Sequence, residues 1–279
     1  MKSLPVVIAL LALMTSTGSA QRTTPADASG LVRITAADGD VSVRAGTAAE
    51  VRVDVRDRNS ERGLRLERRN GEVLVDVYDS RDIVVFVPAG SRVDVRTSNG
   101  DVSIGDVTGT VAVETLSGDI TVNGTPASVA IESISGDVTV SGPVANVRVG
   151  TVSGDVALPR ATGTIDASST SGDVDIMSDG VRNGQFGSTS GTVSFSGTVI
   201  ADALLNFTTS SGEINLEVAR DISADFDIEN VTGRIRSDIG PDPRRNRWTG
   251  GESLRFTNGR GGARIVVRNV SGEVYVTVR

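Results

Sequence analysis

Between Val75 and Ile176 a pair of apolar residues, written apolar-x-apolar, recurs every nine residues. The pairs are Val75/Val77, Val84/Phe86, Val93/Val95, Val102/Ile104, Val111/Val113, Ile120/Val122, Val129/Ile131, Val138/Val140, Val147/Val149, Val156/Leu158, Ile165/Ala167 and Val174/Ile176. Over this runs an 18-residue cycle: NGDVSI at 99–104, SGDITV at 117–122, SGDVTV at 135–140, SGDVAL at 153–158 and SGDVDI at 171–176. A fixed period of this size marks a repeat architecture in which each unit buries its apolar edge against its neighbours. Side chains alternate along a strand, so Val138 and Val140 face one way and Thr139 the other.

Two facing arcs per 18-residue turn would fill a narrow core with stacked Val and Ile. The spacing therefore predicts an all-β chain forming a single-stranded parallel β-helix (β-solenoid) of about 18 residues per coil, with Gly100, Gly118, Gly136, Gly154 and Gly172 in one column. An antiparallel meander would also put these valines on one face, but a single open sheet needs a covering layer and the chain has no amphipathic helix to supply one. Barrel closure stays open. A hexapeptide helix fits less well, because the apolar pairs divide the coil into two nines.

Residues 1–20 read as a signal peptide: Lys2, an apolar run from Leu4 to Met14, and the small residues Gly18, Ser19 and Ala20. The run is too short to span a bilayer and no later segment is apolar enough, so no membrane span is expected. Residues 21–30 read as a polar linker. Residues 31–98 read as an N-terminal, partly antiparallel β cap with the first coils, and residues 99–279 as solenoid repeats. Past Ile176 the turn glycines fall at Gly191, Gly212 and Gly233, so the coils lengthen, and an insertion at 238–262 separates Ile235 from the next matching strand at Ile265.

No cysteine is present, so no disulfide reinforces the core, and no histidine. That removes Ser-His-Asp and Cys-His nucleophiles and most zinc and copper ligand sets. Residues 100–219 carry 3 basic and 14 acidic side chains, against 13 and 13 in 21–99 and 11 and 8 in 220–279. An acidic middle argues against nucleic-acid binding, which relies on clustered Lys and Arg, and against broad adsorption to anionic membranes.

Three constellations stand out. Asp101, Asp119, Asp137, Asp155 and Asp173 form an acid column, read as turn formers, with calcium as the alternative because that ion takes oxygen ligands. Thr97, Thr115, Ser133, Thr151, Ser169, Ser188 and Thr209 form a hydroxyl column, read as a solvated strand face that could also meet a polymer such as a glycan. In the insertion, Arg244, Arg245, Arg247 and Trp248 make a basic-aromatic cluster. It reads either as a partner-binding surface or as a cap in which Trp248 covers the apolar end of the stack.

The repeats, the VPAG-x-x-V-x-V segment at 87–95 and the leader-like start resemble the bacterial putative-adhesin repeat family, related to the head-GIN autotransporter adhesin domains. The resemblance covers about residues 35–279 and implies a parallel β-helix outside the cytoplasmic membrane, with no catalytic residues to carry over. The chain thus reads as a non-enzymatic, exported module of the cell envelope, periplasmic or at the surface, that binds or scaffolds in the manner of an adhesin. It needs no cofactor and no metal, and its partner is an envelope protein or a glycan. The alternatives are an envelope-stress or assembly factor binding a protein partner through 238–262, and a carbohydrate-active β-helix enzyme using paired acids. The sequence sets no oligomeric state.

Overall fold

The computed structural model describes residues 20–55, 63–79 and 82–279. Except for Ala20, the expected signal peptide lies outside them. Every regular element among the described residues is a strand, and all belong to one mixed sheet.

The pairings arrange the strands in two columns. In the first, Val102–Gly105, Ile120–Asn123, Val138–Val140 and the start of Val156–Ser169 succeed one another in parallel, with Val102 beside Ile120, Ile120 beside Val138 and Val138 beside Val156. In the second, Arg92–Asn99, Thr110–Ser117, Ser128–Ser135, Asn146–Ser153 and the end of Val156–Ser169 do the same, again shifted by 18 residues per step. Three long strands, Val156–Ser169, Val174–Ser188 and Val193–Ser211, take part in both columns and carry register shifts where they pass from one to the other. The columns face each other across one apolar core. Phe186 of the second column lies 6.0 Å, ring centre to ring centre, from Phe195 of the first, and Phe207 lies 5.6 Å from Phe195. Of the 24 residues of the nine-residue pattern, all but Val84 and Phe86 are buried.

Outside 93–176 the pairings no longer step by 18 residues between parallel strands. At the N-terminal end the strands Leu31–Ala36 and Val41–Gly46 are inserted between later ones: Val32 pairs with both Val73 and Val93, and Val41 with both Ile83 and Val102. At the C-terminal end the last strands, Ala263–Ser271 and Glu273–Val278, are likewise inserted. Ile265 lies between Leu205 and Phe226, and Val274 between Ile214 and Ile235. Residues 31–46 and 263–278 therefore lie inside their stacks, and segments that fall between them in the chain, together with Ala20–Pro25, form the outer layers.

Those outer layers are antiparallel. Glu50–Val55 pairs with Ile83–Pro88, Leu64–Arg69 with Glu72–Val77, and Glu252–Asn258 with Ala224–Asn230. Val84 and Phe86 face outward because Ile83–Pro88 is apolar at both parities, so its alternation fixes no face. The pairing with Glu50–Val55 buries Ile83, Val85 and Val87 instead, and Arg52 lies 3.9 Å above the Phe86 ring. Part of the segment read as a linker is also a strand: Ala20–Pro25 pairs with Glu50–Val55 and satisfies an edge that would otherwise be open.

Candidate functional site

Glycine and aspartate build the corner that opens each coil. A Cβ on Gly118 would run into the carbonyl of Gly100, one on Gly136 into Gly118, and so on through Gly154, Gly172, Gly191 and Gly212. This close approach is why the column admits no side chain. Beside it the aspartates form a ladder. The backbone N–H of Asp119 donates to the Asp101 carboxylate at 2.9 Å, that of Asp137 to Asp119 at 2.9 Å, that of Asp155 to Asp137 at 2.9 Å and that of Asp173 to Asp155 at 2.8 Å. The ladder runs further than the repeat showed: Asp101 N–H reaches Asp40 at 3.0 Å, Asp40 N–H reaches Asp82 at 3.2 Å, and Asp173 accepts from Thr192 at 2.7 Å.

Each acid thus has a backbone donor from its neighbour, and no cluster of three or more metal-ligating side chains occurs among the described residues. Millimolar calcium is expected to move the melting temperature by no more than about 1 °C, since only a ligand that binds the folded state raises it by mass action. A saturable rise that vanishes in Asp119→Asn/Asp137→Asn would make the ladder a metal site.

The hydroxyl column faces inward. Thr97, Thr115, Ser133, Thr151, Ser169, Ser188 and Thr209 are each between 1% and 7% exposed, so they offer no strip to a polymer. They continue the parity of the apolar pair, as in Val111, Val113 and Thr115, and sit where the core meets the corner. Ser169 and Ser188 donate to the carbonyls of Gly154 and Gly172 at 3.0 and 2.9 Å. Asn269 and Asn230 continue the column, donating to Gly212 at 3.2 Å and to Gly272 at 2.9 Å. Where such a hydroxyl or amide reaches a corner carbonyl it satisfies a group that would otherwise be costly to bury, whereas the buried hydroxyls of Ser133 and Thr151 have no partner among the described residues.

The next residue along faces solvent, which leaves Leu116, Ile134 and Val152 exposed one above another. With Ala130, Glu132, Arg148, Gly150, Asp166 and Ser168 they line a groove of about 560 Å³. This outward apolar file was readable at 18-residue spacing in the sequence.

The insertion divides into two parts. Glu252–Asn258 is the cap: Leu254 is buried, Phe256 stacks on Phe226 at 4.7 Å with the rings 4° from parallel, and the Glu252 carboxylate accepts the Ile235 N–H at 2.7 Å. Arg255 and Arg268 hold this layer through Asp227, at 2.9 and 3.1 Å. Burial works against the charged form of Asp227, yet the two arginines outweigh it and keep its carboxyl below the ordinary aspartate range.

The other part is a projecting hairpin. Arg244–Arg245 pairs antiparallel with Glu252 and Ser253 as the outermost strand, and the turn beyond it is fixed by Asn246. The Asn246 N–H donates to Gly251 O at 2.7 Å, and its side-chain oxygen accepts the N–H of Trp248 at 2.9 Å. Trp248 is 96% exposed, so it covers no apolar edge; Leu254 and Phe256 do that instead. Arg244, Arg245 and Arg247 are exposed as well, and no ion pair among the described residues engages them. The structure therefore places all four expected residues, exposed, on one hairpin.

A profile of the Toastrack DUF4097 family matches the chain twice, over residues 26–196 and 161–277. The chain belongs to the Toastrack family. No curated protein matches it. Among solved structures, this Toastrack chain is similar to a putative adhesin from Bacteroides fragilis, with 12% identity, 94% of this chain and 98% of the other covered, and a TM-score of 0.49. It is also similar to a putative adhesin from Parabacteroides distasonis, with 9% identity, coverage of 92% and 96%, and a TM-score of 0.37. A putative lipid binding protein from the same species gives 12% identity, coverage of 93% and 97%, and a TM-score of 0.32. No helix of the Toastrack chain, among its described residues, is long and apolar enough to cross a membrane.

Proposed function

We propose that this Toastrack chain is an exported, non-enzymatic binding or scaffolding module of the bacterial cell envelope. In this reading it is a β-solenoid of about 18 residues per coil in its regular part, with antiparallel caps. It works by holding a recognition tip at one end of a stiff stack. The observation that carries this is the hairpin at 244–251, whose turn is locked by Asn246 while its tryptophan and three arginines are left in solvent. Exposed Trp and Arg are the side chains most enriched at binding hot spots, because each contributes a large contact at small entropic cost. A fixed turn avoids much of the ordering penalty that a loose loop would incur on binding.

The same hairpin also fits an assembly factor that grips a protein partner, and the experiment separates that from a glycan-binding adhesin. Arg244, Arg245, Arg247 and Trp248 should be replaced together by Ala and the variant used as bait on envelope extracts and on immobilised glycans. The expected result is an unchanged circular dichroism melt with at least a tenfold loss of captured ligand, roughly what truncating one or two hot-spot residues costs. A protein that no longer binds supports the assembly role, and a glycan that no longer binds supports the adhesin. Capture that is unaffected by the four substitutions sinks the tip as the recognition surface.

A further inference from the structure

Resting on that reading of the tip, we propose that its ligand is an anionic lipid surface, onto which the hairpin docks the chain end-on. Trp248 would sit at headgroup depth, and Arg244, Arg245 and Arg247 would lie on lipid phosphates.

The tip has the chemistry of an interfacial anchor. An indole is apolar over its body and donates one N–H, so it partitions to the boundary between headgroups and acyl chains. Guanidinium groups match phosphate oxygens in a bidentate fashion. Elsewhere in the C-terminal layers Arg236, Arg255 and Arg268 are paired with Glu273, Asp227 and Glu229. The arginines of the hairpin are not, and Asp242 is the single acid among residues 240–251. Their positive charge is thus available outward, beside an apolar ring that is 96% exposed.

The rest of the chain sets the orientation. Residues 100–219 carry 14 acidic side chains against 3 basic ones, so a side-on approach would press the aspartate ladder against lipid phosphates. The hairpin is the outermost strand. From the coil that begins at Val174 the stack passes through those of Val193, Ile214, Val274 and Ile235, then Glu252–Asn258, and then Arg244–Arg245. At roughly 4.8 Å per strand this places the ladder several Debye lengths, of about 8 Å each, behind the tip. Attraction at the tip and repulsion along the body favour the same upright pose.

Trp248 is the only tryptophan, so its emission reports this contact alone. The purified protein should be titrated with phosphatidylcholine vesicles with and without phosphatidylglycerol, reading emission wavelength and co-sedimentation. The expected result is a blue shift and sedimentation only with the anionic vesicles, weakened by salt. Each arginine is expected to contribute about fivefold, so Arg244→Gln/Arg245→Gln/Arg247→Gln should bind at least tenfold more weakly with the same melting temperature. Trp248→Ala should also lose sedimentation.

An equal shift on phosphatidylcholine vesicles, whose headgroups are zwitterionic, would overturn the anionic half of the proposal, and saturation by inorganic phosphate alone would make this a free-anion site. Vesicle binding that the arginine variant retains would place the contact on another face. If vesicles fail to bind while a tip-dependent protein or glycan is still captured, the lipid inference is wrong and the display reading stands. If nothing depends on the tip, both are wrong.

Discussion

Replacing Val138 with Asp should unfold the middle of the stack, whereas Thr139→Asp, one residue along the same strand, should barely register. Val138 is fully buried and lies between Ile120 and Val156 in a file of apolar side chains without a polar partner for a carboxylate. An uncompensated charge in such a place costs several kcal/mol, a large share of the roughly 5–15 kcal/mol that holds a typical domain together. Because each coil leans on its neighbours, the damage should spread to the coils of Ile120 and Val156 first. Thr139 faces outward between Thr121 and Ala157, where a carboxylate keeps its water. Thermal melts of the two variants make the comparison; equal tolerance would mean that the inward and outward faces are misassigned.

Gly136→Ala is expected to lower stability by about 3 kcal/mol or more, while Gly105→Ala should be nearly neutral. Gly136 has φ of 131°, in the region where an L side chain is strained, at a cost of about 1–3 kcal/mol. Its added Cβ would also meet the carbonyl carbon of Gly118 at 2.6 Å, and this is backbone that belongs to a parallel ladder and has little freedom to yield. Overpacking of that kind adds about 1–3 kcal/mol. A Cβ on Gly105 would have nothing within 4 Å. Chemical denaturation of both variants decides the matter: if Gly136→Ala melts like the unsubstituted chain, the corner does not have the close approach described here.

The regular part of the fold was legible because its residues answer to one local rule. From Val93 to Ile176, strand parity, glycine position and coil length all repeat together, so each coil confirms the last. The ends were less legible because their order in space is not their order in sequence. Nothing in the local pattern of Val32 or Ile265 says that each lies between two strands remote in the chain. Val84 and Phe86 misled because a strand apolar on both faces has no readable parity. The hydroxyl column misled for a different reason: Thr115 looks like surface by composition, but its position two residues after Val113 puts it on the inner face, where corner carbonyls need donors. The four residues of the hairpin stood out because they break the composition of everything around them. Their division of labour with Leu254 and Phe256 was hidden, because either aromatic could have covered the end.

The placement of the final strands has a consequence for biogenesis. Synthesis delivers residues 263–278 after residues 224–237, yet the later segment occupies a slot between the coil that ends at Val218 and the layer built from Ala224–Asn230 and Arg234–Ser237. That outer layer has no parallel neighbour to rest on until residues 263–278 arrive, so the stack cannot be completed by adding one coil after another as the polypeptide emerges. Residues 263–278 act as a keystone, and the hairpin that bears Trp248 becomes anchored only once they are in place. A chain stopped before Ala263 should therefore lose hydrogen-exchange protection over 224–258 as well, leaving 128–153 untouched. Protection of 224–258 in such a truncated chain would show that the keystone is dispensable. If it is not, the hairpin that bears Trp248 is presented only by molecules whose synthesis has passed Val278, a quality check that depends on topology alone.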